Sequence, residues 1–437
     1  MPHYVVNTKP QQEAMLKEVG LTLDDLIKPI PNNVRLNREL NLPESLSEFE
    51  VMAQMSEYAN ENIVYQTVLR GAGSYRHFIP SVVKHLSSRE EFLTAYTPYQ
   101  SEFSQGILQS IFEYQTMMAQ LTGMDASNAS VYDGATAVAE AINMTVDRRR
   151  KKALIASTLH PETIETITTY TTYLPTEVVE IPHKDGRVDL EWLKENLTDD
   201  VACVVIQHPN YLGILEDTDK VNEVIKTSKA KFIVSVNPMS LAILKDPRSY
   251  GADIAVGEAQ PFGLNTALGG PYLGFMATTS ENVRKLPGRI VGQTVDIEGK
   301  RAFALTLQAR EQHIRREKAS SSICSNQAHC ALTAAMYLGA MGPEGLKEVA
   351  MQSYSKAHYL QKQLAALGFK LVFDQPFFNE FVTNCPVKYS TLFNHLEKNG
   401  ILVGVPVGDD QILWCVTEVV SEKEMHHALR LIEEVCA

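Results

Sequence analysis

The sequence lacks long hydrophobic runs, an excess of basic residues and paired cysteines. No apolar stretch approaches the roughly 18 residues that span a bilayer, and the N-terminus has neither the charged nor the apolar region of a secretion signal. The formal net charge of -12 disfavours nucleic-acid binding, which requires a basic face. The six cysteines form no CxxC pair, so reduced thiols and a cytoplasmic location are expected. We therefore expect neither a membrane nor a nucleic-acid partner.

Three common kinds of site also lack their sequence signatures. His313, Cys324, His329 and Cys330 do not have the paired spacing of a tetrahedral zinc site, so no metal site is predicted. No GxGxxG opens a helix after a first strand, and the run 269–271 (Gly-Gly-Pro) is a weak dinucleotide signal. No serine elbow of the G-x-S-x-G form is present.

Short apolar runs alternate with helical patterns through the middle of the chain. Strands that are buried on both faces have continuous apolar runs, and helical crossovers between them indicate a mostly parallel sheet. The pattern predicts a large three-layer α/β domain. The predicted strands are 153–156, 178–181, 201–206, 232–236, 254–256 and 272–276.

The pattern divides the chain into three predicted regions. Residues 1–65 form a helical arm, residues 66–315 form the large domain, and residues 316–437 form a small C-terminal α/β domain. The C-terminal region is predicted to contain a helix that ends at Gly339 and a long helix over 343–367.

A small-residue turn opens the second helix of the predicted large domain. Asp133, Gly134, Ala135 and Thr136 could offer free backbone N–H groups and the positive end of the helix dipole to a phosphate. The alternative is an ordinary helix start with Asp133 as its N-cap. Local sequence leaves both readings open.

An aromatic and polar run precedes the first helix of the same domain. It contains two tyrosines, and a solvated loop rarely needs two tyrosines, whereas a site wall or an interface does. The alternative is a loop that packs on its own domain. The candidate residues are Tyr96, Thr97, Pro98, Tyr99, Gln100, Ser104 and Gln105.

Four long motifs carry a resemblance to a known family. They resemble the glycine dehydrogenase (decarboxylating) P-protein of the glycine cleavage system, in the form of the α subunit of the split bacterial enzyme, and the resemblance covers essentially the whole chain. The motifs are the runs 93–100 (LTAYTPYQ), 112–116 (FEYQT), 128–136 (NASVYDGAT) and 315–319 (RREKA).

The resemblance implies a pyridoxal-phosphate (PLP) transferase of fold type I, similar to aspartate aminotransferase. It implies that an α and a β subunit pair, as an α2β2 assembly, and that the β subunit carries the PLP lysine. The implied reaction joins glycine to PLP, releases CO2 and passes the aminomethyl carbon to the lipoyl arm of H-protein. No cofactor is expected in this chain.

The sequence departs from a catalytic PLP subunit at two strand ends. Gln260 and Pro261 stand where the His-Lys pair is expected, and proline has no amine that could form an imine. Asn237 stands where an aspartate would keep the pyridine nitrogen protonated. His160 follows a strand where a ring-stacking residue is often found. With the turn 134–136, these residues are the predicted remnant of a cofactor pocket.

The predicted role of this chain is to shape the shared site, with the run from Tyr96 to Gln105 lining the pocket of the partner. Two alternatives remain open. Lys245 or Lys285 could hold PLP instead, although neither stands at the expected strand end. The chain could also be a module that docks H-protein and has no share in the pocket.

Overall fold

The computed structural model describes residues 7–36, 38–95, 97–267, 269–319, 321–323 and 325–436. The chain divides into two compact units between Ile63 and Val64. In the first unit, α1 (Lys9–Val19), α2 (Leu23–Ile27) and α3 (Glu48–Asn60) contain no buried residue. Capping boxes fix where these helices begin; that of α3 joins Ser47 to Glu50.

The second unit is α/β. Its strands are β1 (Thr67–Val68), β2 (Ala126–Ser127), β3 (Lys152–Ala156), β4 (Glu177–Ile181), β5 (His183–Lys184), β6 (Arg187–Val188), β7 (Val201–His208), β8 (Lys231–Val236), β9 (Ile254–Glu258), β10 (Gly274–Thr278), β11 (Val291–Val295), β12 (Arg301–Leu305), β13 (Glu380–Asn384), β14 (Ile401–Leu402), β15 (Val405–Gly408) and β16 (Gln411–Cys415).

Helices cover this unit. They are α4 (Ser81–Ser87), α5 (Glu90–Leu93), α6 (Gln105–Thr122), α7 (Gly134–Thr145), α8 (Pro161–Thr171), α9 (Leu190–Asn196), α10 (Thr218–Ile225), α11 (Gln312–Arg315), α12 (Ala328–Ala366), α13 (Tyr389–Lys398) and α14 (Glu422–Cys436). Among the helices of the described ranges, none combines the length and the apolarity needed to cross a bilayer.

A seven-stranded sheet in the order β2-β10-β9-β8-β7-β3-β4 forms the centre of the unit. Strand β10 is antiparallel to both of its neighbours, and the pairs from β9 to β4 are all parallel. Because β7 is buried along nearly its whole length, its apolar run is that of a strand covered on both faces. The predicted mainly parallel α/β sheet is confirmed.

Helix α12 contributes residues to two hydrophobic cores. Its residues as far as Ala350 pack into the core around the central sheet, whereas Ala357, Leu360 and Leu364 pack with the three-stranded sheet β13-β16-β15. The two predicted C-terminal helices follow one another within α12 and are separated at Gly342, where φ is +60° and ψ is -178°. The predicted division into two helices is confirmed, with the break at Gly342 and not at the predicted end, Gly339.

The predicted boundary between a large and a small domain cuts across both cores. The first half of α12 belongs to the predicted small domain but packs against the central sheet. Conversely, Leu69 of the predicted large domain packs in the second core, because β1 pairs with β14. The three regions 1–65, 66–315 and 316–437 remain a prediction.

Candidate functional site

A cavity of about 230 Å³ opens at the carboxyl edge of the central sheet. Ligands of open α/β sheets bind at this edge, outside the ends of the parallel strands. The walls come from the segment before α4, the start of α7, the loop after β3, and the ends of β7, β8 and β9. The lining residues are Ala72, Gly73, Ser74, Tyr75, Asp133, Gly134, Ala135, His160, Glu162, Thr163, Gln207, Ser235, Val236, Asn237, Glu258 and Tyr272.

The small-residue turn forms one wall of the cavity and begins α7. The Asp133 carboxylate accepts the backbone N–H of Thr136 at 2.7 Å, so the predicted N-cap is confirmed. Gly134 lies against β9, where an added Cβ would come within 2.9 Å of Glu258. Only glycine permits this close approach.

The Glu258 carboxylate occupies the N-terminal end of α7. Its Oε2 accepts the backbone N–H of Gly134 at 3.0 Å, and its Oε1 accepts those of Gln260 and Leu273, each at 2.9 Å. Burial raises the pKa of Glu258 to about 7, although the three backbone donors favour its charged form. The carboxylate thereby ties the end of β9 to the start of α7 and to the residue before β10.

The two predicted strand-end residues, Asn237 and His160, both line the cavity. The Asn237 side chain caps the following turn by accepting the N–H of Met239 at 3.1 Å. The Nδ1 atom of His160 accepts the N–H of Glu162, which leaves Nε2 to donate to the carbonyl of Ala72 at 2.9 Å. The hydrogen-bond network therefore assigns a neutral imidazole.

Gln260 and Pro261 are buried beside the cavity and do not line it. The Gln260 amide accepts the N–H of Tyr75 at 2.9 Å and donates to the Tyr75 carbonyl at 2.9 Å and to the Leu264 carbonyl at 2.7 Å. Gln260 therefore pins the segment 70–78, which covers the cavity. Thr136, another predicted pocket residue, also lies outside the lining.

The segment 70–78 is held from the other side by buried carboxylates of the second core. The Glu380 carboxylate accepts the N–H of Ala72 at 2.6 Å and the hydroxyl of Tyr75 at 2.7 Å. A second carboxylate, that of Glu418, bonds to the His77 imidazole at 2.6 Å and accepts the backbone N–H of Phe78 at 2.7 Å. Burial raises the pKa of Glu380 to about 7.

Among the described residues, those that line the cavity include no lysine and no arginine. Lys245 lies on the surface, where its Nζ pairs with Asp219 at 2.8 Å. Lys285 is exposed on a short 3₁₀ turn. The cavity therefore has no amine in its wall for imine chemistry.

The aromatic and polar run borders a different cavity. Thr97, Gln100 and Ser104 line it, and Thr97 and Gln100 are exposed. Gln105 faces away, because its amide exchanges two 2.9 Å hydrogen bonds with the backbone of Phe303. Gln105 is therefore anchored to β12.

Tyr99 and Pro98 are half-buried within the same run. The Tyr99 hydroxyl donates to Asn326 at 2.5 Å, and the Arg289 guanidinium lies 5.3 Å from the centre of its ring. Tyr96 lies outside the described residues. The structure thus separates the predicted site residues into two groups, one at each cavity.

Sequence reasoning assigned no role to Glu258, to Glu380 or to the segment 70–78. The segment has a readable signal in its small residues, since it begins Arg-Gly-Ala-Gly-Ser. Glu258 accepts one local N–H, that of Gln260, but its other partners and those of Glu380 lie in other segments, so no local pattern marks either carboxylate. In the described ranges, no three His, Cys, Asp or Glu side chains are grouped as they would be around a metal ion.

The fold is that of the PLP-dependent transferases of fold type I. An aspartate aminotransferase from Thermus thermophilus superimposes with a TM-score of 0.60 at 14% identity, over 85% of this chain and 99% of that one. A mouse CSAD structure in apo form gives a TM-score of 0.69 at 14% identity, over 95% and 92%. The predicted fold class is confirmed.

The chain belongs to the glycine cleavage system P-protein family, whose sequence model matches residues 2–432. It is 47% identical over 436 residues to a probable glycine dehydrogenase (decarboxylating) subunit 1 of Bacillus cytotoxicus, covering 99% of this chain and 95% of the relative. A Bacillus cereus relative of the same description is 46% identical, covering 97% of each.

A crystal structure of glycine decarboxylase (P-protein) of the glycine cleavage system, in inhibitor-bound form, agrees over the full length. It is 41% identical, with a TM-score of 0.92 over 99% of this chain and 100% of that chain. The resemblance inferred from the four motifs is confirmed.

The residues at the carboxyl-edge cavity do not fit PLP. The wall has no lysine to bind the aldehyde. Asn237 supplies no negative charge for a pyridinium, and its side-chain oxygen is used to cap a turn. The N-terminal N–H of α7, where a phosphate would bind, is bonded to the Glu258 carboxylate.

Proposed function

We propose that this chain is the lysine-lacking subunit of a two-chain glycine dehydrogenase (decarboxylating). The observation that carries the proposal is the absence of any lysine from the wall of the cavity, with the buried Pro261 following Gln260 at the end of β9. The family match over 2–432 and the subunit 1 relatives support it. The chain contributes to the enzyme without forming the imine itself.

The partner subunit supplies the PLP lysine, and the two subunits assemble as α2β2. When bound to the partner, PLP supplies the electron sink for loss of CO2 from glycine. The aminomethyl group then passes to lipoylated H-protein. The net negative charge and the absence of an amine in the cavity are compatible with this division of work.

This chain shapes the shared site through the run from Tyr96 to Gln105. Thr97 and Gln100 present polar side chains to solvent, while Tyr99 and Gln105 are fixed by Asn326 and by the backbone of β12. Anchored residues next to exposed polar ones hold a recognition surface in position. We infer that this surface faces the pocket of the partner.

Reconstitution tests the proposal. This chain and a candidate partner are purified separately and mixed, and the exchange of labelled bicarbonate into glycine is measured with lipoylated H-protein present. The mixture should exchange, this chain alone should not, and the partner alone should be slower by at least about tenfold, because its pocket lacks a wall.

Two outcomes would count against the proposal. Exchange by this chain alone would place the chemistry here. Full exchange by the partner alone would favour the docking alternative, in which this chain recruits H-protein without a share in the pocket. The two outcomes are distinguished by which single chain is active.

A further inference from the structure

The strongest feature that the proposed function does not use is the carboxylate at the start of α7. We propose that Glu258 is a built-in anion that occupies the phosphate-binding end of this helix and keeps phosphorylated ligands out of the cavity. The inference rests on the proposed function, because it explains how one of two homologous subunits stays free of a phosphorylated cofactor. It assigns that specificity to a single residue.

The geometry places the carboxylate where an anion would bind. A helix N-terminus binds anions through its free N–H groups and its dipole. Here two of the first three N–H groups of α7 are already bonded to carboxylates, Gly134 to Glu258 at 3.0 Å and Thr136 to Asp133 at 2.7 Å. A phosphate at this position would have to displace the Glu258 side chain.

The position is held firmly. The other carboxylate oxygen of Glu258 accepts two more backbone N–H groups, those of Gln260 and Leu273. Gly134 brings the start of the helix against the strand so closely that an added Cβ would contact Glu258. The carboxylate is therefore held by its own segment and by two others, the start of α7 and the residue before β10.

The charges in the cavity wall also disfavour the binding of a phosphate. Its ionisable walls are Asp133, Glu162, Glu258 and His160, with Tyr75 and Tyr272, and they include no lysine or arginine. His160 is neutral in the hydrogen-bond network. A phosphate dianion would meet carboxylates without a compensating cation, and like charges at short range repel strongly in a partly desolvated site.

A purely structural role for Glu258 makes a different prediction. If the carboxylate only ties three segments together, replacing it lowers stability and creates no affinity. If it fills an anion site, replacing it with a small residue frees the helix N-terminus, and the variant gains a ligand. A gain of binding is the result that a structural role cannot produce.

The experiment measures binding to the full-length chain alone. The probe is pyridoxine 5′-phosphate, which has no aldehyde and so forms no imine with surface lysines, and dephosphorylated pyridoxine is the control ligand. Titration calorimetry is performed near pH 8, because burial raises the pKa of Glu258 to about 7 and the carboxylate is then mostly ionised. Folding of each variant is checked by circular dichroism and melting.

Glu258→Ser should bind the phosphorylated probe at least about tenfold more tightly than wild type, with no comparable gain for pyridoxine. Glu258→Gln keeps the shape but removes the charge, so its gain should be smaller, about threefold. Glu165→Ser is the matched control, since it removes the same charge from an exposed position of α8 that does not line the cavity and should change affinity by less than about twofold.

Three results would overturn the inference. The first is a folded Glu258→Ser that binds no better than Glu165→Ser. The second is wild-type protein that already binds the phosphorylated probe as tightly as the variant. If Glu258→Ser fails to fold, Glu258→Gln with unchanged affinity is the third. None of these depends on glycine turnover, so failure here is distinguishable from failure of reconstitution.

Discussion

The polar side chains at the two cavities differ in their hydrogen-bond partners. At the carboxyl edge of the sheet, Glu258, Gln260 and Glu380 all bond to backbone groups of the chain itself. Along the run 97–105, Thr97 and Gln100 are exposed, and the anchoring bonds come from their neighbours. The first cavity satisfies its own hydrogen bonds, whereas the second leaves side chains available to a partner.

This difference shows that the fold provides a cavity, whereas the side chains determine what the cavity can bind. A fold type I scaffold places a cavity at the edge of the sheet whether or not the cavity binds a cofactor. The side chains decide its chemistry, and here they close the cavity with internal hydrogen bonds. The proposal above places the action of this chain at the second cavity, whereas the family relationship alone would direct attention to the first.

The largest expected effect comes from removing the amide that pins the cavity. Gln260→Leu leaves the N–H and carbonyl of Tyr75 and the carbonyl of Leu264 without their partner. Burying unsatisfied polar groups should lower the free energy of unfolding by about 3 kcal/mol. Urea unfolding measures the change. Gln363→Leu, at an exposed position of α12, is the control, and equal stability of the two variants would show that the cavity is not held in this way.

The second prediction concerns the pH dependence of stability. Burial raises the pKa of Glu380 from its ordinary value near 4.5 to about 7. Between these values the folded chain keeps the proton and the unfolded chain loses it, so the free energy of unfolding falls as pH rises, by up to about 1.4 kcal/mol per pH unit.

Glu380→Gln removes this contribution. Urea unfolding at about pH 5, 6 and 7 should therefore show a smaller loss of stability in the variant than in wild type. Glu140 and Glu258, whose pKa values burial also raises to about 7, remain in both proteins. Parallel pH profiles would contradict the assignment to Glu380.

The third prediction concerns the exposed run. Gln100→Ala should lower glycine exchange by the reconstituted enzyme about tenfold, which is about 1.4 kcal/mol of transition-state stabilisation. Stability and assembly should not change, because Gln100 is exposed. Gln363→Ala is the control for an exposed glutamine elsewhere. Wild-type exchange in Gln100→Ala would remove the run from the shared site.

The smallest expected effect tests how the run is anchored. The Tyr99 hydroxyl donates to Asn326, so Tyr99→Phe and Asn326→Ala should each lower exchange about threefold. The double variant should be no slower than either single one, since both changes break the same bond. Additive effects would instead indicate that the hydroxyl acts on the partner or on glycine directly.

Local patterns predicted much of the fold. Continuous apolar runs located β3, β7, β8 and β9, because these parallel strands are buried on both faces. A short apolar run also located β4, although only Ile181 of this edge strand is buried. The same level of reasoning identified the Asp133 cap, which is a short-range interaction. The resemblance to PLP transferases grouped Gly134, Ala135, His160 and Asn237 as the remnant of a pocket, and all four line one cavity.

The remaining features depend on contacts between distant segments. Gln260 bonds to Tyr75 across 185 positions, and Glu380 bonds to the same residue across 305. Gln260 has one local side-chain partner, the Leu264 carbonyl, but no sequence pattern distinguishes Gln260 or Glu380 from other polar residues near a strand.

The central claim is that the imine chemistry belongs to the partner, and trapping tests it most directly. The reconstituted enzyme is saturated with PLP, reduced with borohydride, and both chains are weighed and mapped by mass spectrometry. The account predicts one stable pyridoxyl adduct on a lysine of the partner and none in the cavity region of this chain. A stoichiometric adduct on a lysine of this chain, such as Lys245 or Lys285, would contradict it.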